Sequence, residues 1–146
     1  MRPVPFGYES REGEIDMRLA LGVIAGIVVA FACVFGVESI GHSLYPLPAG
    51  FDLTNPRDVD RLMAVMPTAA LAFVVVAWFV GALAGAFTAN LIARRALAGW
   101  IVAMLVIAAA VATMVMIAHP AWMWAAGLLL PLAAALLAAR LVRARA

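Results

Sequence analysis

Four stretches of this chain, Leu19 to Ile40, Thr68 to Ala93, Ala98 to Ala118 and Ala121 to Ala139, contain a single charged side chain between them, Glu38. A helix crossing a bilayer needs about 20 largely apolar residues. Each run meets that length, and a lipid core accepts only helices or closed barrels, because every backbone polar group must be satisfied internally. The expected fold is therefore all-α and transmembrane, a four-helix bundle. Composition agrees: 67% of the residues are hydrophobic and 12% charged, too few polar groups to cover a soluble domain of 146 residues. The second run is long enough to tilt, and Pro131 near the middle of the fourth predicts a kink.

The rest of the charge sorts by position. Arg18 precedes the first run, Arg94 and Arg95 separate the second from the third, and Arg140, Arg143 and Arg145 follow the fourth. All six fall on one side of the membrane. The opposite side has Arg57 and Arg61, offset by Asp52, Asp58 and Asp60. The positive-inside rule then puts both termini in the cytoplasm. Trp122 and Trp124 fall at the outer boundary and Trp100 at the inner one, where indole rings anchor. All ten cationic residues are arginine, and with the heavy alanine usage this points to a GC-rich bacterial genome and an inner-membrane location. A net charge of +2 gives no footprint for nucleic acid.

Residues 1–16 are different. They hold six charges and two prolines without helical apolar periodicity, the composition of a disordered, solvated tail. Arg11-Glu12-Gly13-Glu14 is also what a purine-rich ribosome-binding sequence encodes in frame, and Met17 follows at a suitable distance. Translation starting at Met17 is the corresponding expectation, with residues 17–146 forming one four-span domain. The first apolar run exceeds a signal-peptide core and lacks a cleavage pattern. Ala30-Phe31-Ala32-Cys33 faintly resembles a lipoprotein processing site, but its alanine stands where an aliphatic residue is wanted. Cys33, the single cysteine, excludes an internal disulfide and a cysteine-based zinc cluster.

The links are unequal. Arg94-Arg95-Ala96-Leu97 and His119-Pro120 are tight, so helices two, three and four must be antiparallel neighbours. The link from Ser43 to Pro67 is long enough for structure of its own. Thr54 or Asn55 can cap a helix with Pro56 in its first turn, and Val59, Leu62, Met63 and Met66 recur at helical spacing. Asp58 and Arg61 stand close enough to pair. The expectation is a short amphipathic helix in the outer loop between helices 1 and 2, lying on the leaflet or capping the bundle, ended by Pro67.

Two small-residue rows, Gly22-x-x-x-Gly26-x-x-x-Ala30 and Gly81-x-x-x-Gly85, let backbones approach closely, either inside one bundle or between copies. Chemistry centres on Glu38. An ionisable residue inside a span is a functional hypothesis by default. His42 follows it on the same helix face, and His119 at the end of the third run arrives at the same level. The plainest expectation is a structural network in which Glu38 pairs with His42, His119, Arg57 or Arg61. Glu38, His42 and His119 also form a donor set for a divalent metal, zinc or iron, though no HExxH motif is present. Bis-histidine haem ligation is a weaker fit. Proton- or cation-coupled transport needs a relay through the inner half, where Thr88 and Asn90 are the only polar candidates. Asn90 reads as interhelical hydrogen-bonding glue.

Glu38-Ser39-Ile40-Gly41-His42 with Tyr45-Pro46, Ala77-Trp78 leading into Gly81 and Gly85, and Ile117-Ala118-His119-Pro120-Ala121-Trp122 together resemble a group of uncharacterised small four-span bacterial inner-membrane proteins. The resemblance covers the chain from Met17 onward and implies the architecture without a substrate or reaction. In helix count the chain is similar to the small multidrug exporters, whose functional acid lies in the first span. It departs from them in placing Glu38 at the far end of that span and in its long outer loop, so their activity is not carried over. The expected function is non-enzymatic: an accessory or assembly subunit of a larger membrane complex, or a self-associating bundle. The alternative is a small transporter or metal-handling protein using Glu38, His42 and His119.

Overall fold

The structure, a computed structural model, describes residues 8–143. Among these there are five helices and no strand: α1 (Tyr8–Leu44), α2 (Pro56–Val65), α3 (Thr68–Ala93), α4 (Ala96–Met116) and α5 (Ala121–Arg143). All but α2 are long and apolar enough to cross a membrane, which marks a multi-pass membrane protein. α3 is the central helix, packed against α1, α4 and α5, while α1 and α5 do not touch. One end of the bundle gathers Arg18, Arg94, Arg95, Arg140 and Arg143; the other carries α2 and both histidines. Arg145 lies outside the described residues.

α1 begins at Tyr8, so residues 8–16 lie in its first turns; residues 1–7 lie outside the described ones. Extending a helix that a long apolar segment has already nucleated costs little. Glu14 pairs with Arg18 one turn on at 2.8 Å. The 37 residues of α1 span about 55 Å at 1.5 Å each, well beyond a ~30 Å hydrocarbon core. The other ends differ by a few residues from expectation: α4 starts at Ala96 and stops at Met116, and α5 runs on to Arg143. α5 is continuous through Pro131, a fully buried residue.

Lipid offers no hydrophobic drive for helix association, so close backbone approach must supply it. Between α1 and α3 the two glycine rows meet each other. A Cβ placed on Gly26 would lie 2.7 Å from the Gly85 carbonyl oxygen, and one on Gly85 would lie 2.6 Å from the Gly26 carbonyl oxygen. Each Cα thus faces the other's carbonyl, the arrangement in which Cα–H···O contacts form. The α3 row continues as Ala89 and Ala93, against which Gly22 packs, and Gly81 sits on the Ala30 backbone. Val102 of α4 closes the crossing, its methyls 2.9 and 3.0 Å from those same two Cβ positions.

The core changes character along the bundle. At the arginine end it is Ala30, Ala89, Ala93, Ala98 and Val102. At the loop end Trp78, Met114 and Met123 fill wider space, and Gly127 of α5 makes room for the Trp78 ring. Asn90 is the only buried polar side chain among the described residues. Its Oδ1 accepts from the Gly99 N–H at 2.7 Å, so α3 caps the first turn of α4, whose own N-cap residue, Arg95, makes no side-chain cap bond. The preceding Arg94 holds left-handed backbone (φ 53°), where glycine or asparagine is the usual choice.

α2 forms as its capping residues predict. The Asn55 side chain accepts from the Arg57 N–H at 3.1 Å, with Pro56 at the first helical position. Leu62 is buried, and Met63 and Met66 pack on the loop-end core. α2 therefore caps the bundle, held by side chains rather than by backbone approach.

Gly26→Val and Gly85→Val are expected to cost about 1–3 kcal/mol or more by overpacking a contact that cannot open without parting the helices. Gly36 has nothing within 4 Å of its Cβ position, so Gly36→Val changes stability by less than about 0.5 kcal/mol. Unfolding by added SDS in mixed micelles measures all three.

Candidate functional site

α1 positions Glu38 and His42 one turn apart near its C-terminal end, and the short α4–α5 link brings His119 to the same level. All three line a cavity of about 150 Å³ between α1, α3 and the underside of α2, with Tyr45, Leu62 and Met66 among the other walls. The Tyr45 and Phe73 rings meet at 6.0 Å and 54°, tying the chain leaving α1 to the start of α3. Gly41 makes this possible: a Cβ there would lie 3.0 Å from the Phe73 Cβ.

Sharing a cavity is not the same as sharing a ligand. Among the described residues no three His, Cys, Asp or Glu side chains gather closely enough to hold a metal ion. His119 Nδ1 lies 2.6 Å from the Ile117 carbonyl oxygen. A carbonyl only accepts, so Nδ1 carries the proton and donates to it. Ser39 donates to the Phe35 carbonyl at 2.7 Å and Ser43 to the Ser39 carbonyl at 2.9 Å. Both hydroxyl protons are spent on their own helix.

The expected partners of Glu38 are also engaged elsewhere or out of reach. Arg61 reaches Asp58 at 3.5 Å, a solvent-exposed pair worth little. No hydrogen bond or ion pair to Glu38 occurs among the described residues. His42 lies on its helix face, yet their side chains do not close to an ion pair.

Glu38 is half-buried and belongs to a second space as well. Between α1 and α4, floored by Trp78 of α3, a groove of about 240 Å³ runs from Ile27 and Val102 up to Glu38 and Thr113. Its walls are otherwise apolar, with Phe31, Val34 and Leu105 prominent. The Thr113 hydroxyl donates to the Ala109 carbonyl at 3.0 Å, leaving Glu38 as the groove's one uncommitted polar group. Glu38 thus stands in the wall between a space under the α2 cap and a groove in the membrane-spanning part of the bundle.

Sequence reasoning located the acid and both histidines but not this groove. It depends on how far α4 stands from α1, which no local pattern encodes. The small Ala30 and Ala109 on its walls were the available signal.

Asp52 orders the loop. Its carboxylate accepts from the Thr54 hydroxyl at 2.7 Å and the Thr54 N–H at 2.9 Å. These bonds, the hydroxyl's first, hold its pKa below the ordinary 3.8. A lowered carboxylate pKa contributes order that is present above the ordinary value and lost as pH falls through the lowered one. Thr54→Val is expected to raise the Asp52 pKa toward 3.8, followed by carbon NMR titration of the carboxyl. No change would mean the hydroxyl bond is not formed.

No protein-family model, no curated protein and no solved structure matches this chain.

Proposed function

We propose that this protein is non-enzymatic and works by association within the membrane, as an accessory or assembly subunit or a self-associating bundle. The observation that carries this is Glu38, a half-buried carboxyl in an otherwise apolar groove with no hydrogen bond or ion pair among the described residues. Acids at such depth are costly and are ordinarily paired. A pairing group brought by another chain meets that need. The groove's size points the same way. At about 240 Å³ it is smaller than the ~300–1,000 Å³ of small-molecule sites, yet it can receive side chains from a packed helix.

With its arginines at one end, the protein belongs in a bacterial inner membrane with both termini cytoplasmic and α2 on the outer face. Glu38, His42 and His119 then face the outer side, where a small transporter or metal-handling protein would place a site. Their shared cavity supports that second role. Its ~150 Å³ is small for a substrate, and neither cavity lining Glu38 extends deeper than Ile27 and Val102.

Extraction into lipid nanodiscs without detergent exchange, followed by native mass spectrometry, tests association. More than one polypeptide per particle, lost in Glu38→Ala, is expected. One chain per particle at every protein-to-lipid ratio contradicts it.

A further inference from the structure

α1 commits the face bearing Gly22, Gly26 and Ala30 to α3. Along the opposite side, large residues recur at Met17, Leu21, Ile24, Val28, Phe31 and Phe35, alternating steps of four and three. Their exposure runs from 55% at Leu21 to 75% at Phe35. The next two steps, three and then four, land on Glu38 and His42. The only acid of the apolar runs and its neighbouring histidine continue this heptad spacing where the stripe reaches the groove beside α4 and the cavity beneath α2, Glu38 half-buried and His42 exposed.

A 3.5-residue period is what two helices need to stay in contact along their length by left-handed winding. A face that meets only lipid has no use for an ionisable pair at two successive heptad positions. The glycine rows are already used within the chain, so a glycine-mediated crossing between copies is closed off. What remains is packing of large residues, knobs into holes, at a shallow angle.

We propose that a second copy of this chain occupies the stripe, α1 against α1, parallel about a two-fold axis along the membrane normal. This rests on the association reading above and names its partner. A two-fold contact brings the same residues together at the same depth. In a parallel pair Glu38 forms one layer and His42 the next, so each carboxyl has the other copy's imidazole within a turn. Within one copy His42 already lies within electrostatic reach of Glu38; pairing brings two carboxyls to one layer and two imidazoles to the next, a four-residue cluster in which each acid gains the other copy's imidazole. An antiparallel pair would put arginines on both sides of the membrane, against the charge asymmetry that orients the protein.

Cysteine cross-linking tests this in bilayers. In a Cys33→Ser background, single cysteines replace Leu21, Val28 or Phe35 on the stripe, and Gly36, which is exposed but off it. Under copper-phenanthroline, disulfide-linked dimers are expected to form fast at the three stripe positions and slowly at Gly36. Adding His42→Ala to Val28→Cys is expected to lower the yield about tenfold, as loss of a coupled pair does. Equal rates at the stripe and at Gly36, or no dimer at any position, overturn the second copy. If the nanodisc particles then hold one copy with a different polypeptide, association stands and only this partner is wrong. If they hold one chain alone, both are wrong.

Discussion

The contact between Gly26 and Gly85 sets the rest of the molecule. In a lipid environment the helices gain nothing from hiding apolar surface from one another, so a stable pair must come close enough for backbone to touch backbone. The reciprocal approach of each Cα to the other's carbonyl, within the row formed by Gly22, Ala30, Gly81, Ala89 and Ala93, achieves this. It fixes which face of α1 is covered and which is left over. Val102 fills the crossing from the side of α4, and beyond it α1 and α4 are separated by the groove that ends at Glu38. The position of the acid follows from a contact about three turns away from it.

Two kinds of packing share the interior. Near the arginine end, alanines and glycines bring the helices together with little side chain between them. Near the loop end, Trp78, Met114 and Met123 hold them apart, and Gly127 gives back the space that the indole takes. The tight α3–α4 turn carries two costs that are visible locally. Arg94 occupies left-handed backbone without being glycine, which costs roughly 1–2 kcal/mol, and α4 begins without a cap from its own N-terminal residues. Asn90 compensates for the second by reaching Gly99 from α3.

Much of this was legible in the sequence where the cause is local. The four apolar runs mark the four long helices, and Asn55-Pro56 with the spacing of Leu62, Met63 and Met66 marks α2 and its buried face. The helical turns of residues 8–16 have no local signal, because charge and lack of periodicity point to solvation, which a helix propagating out of a long span tolerates. The Asn90–Gly99 cap and the groove beside Glu38 were not legible, because each joins groups whose distance is set by tertiary packing. The stripe on α1 lies between the two cases. Its spacing is visible in the sequence, but its significance appears only once the α3 contact shows that the opposite face is taken.

Whether the glycine rows are spent inside one chain decides the account. Solid-state NMR in bilayers can measure it as a through-space correlation between the Gly26 Cα and the Gly85 carbonyl carbon, in uniformly labelled protein and in a mixture of two differently labelled preparations. The structure predicts a strong cross-peak in the first sample and none between chains in the second. A Gly26–Gly85 cross-peak that arises between differently labelled chains would make the glycines the interface between copies, and would contradict both the α1–α3 contact and the free face that depends on it.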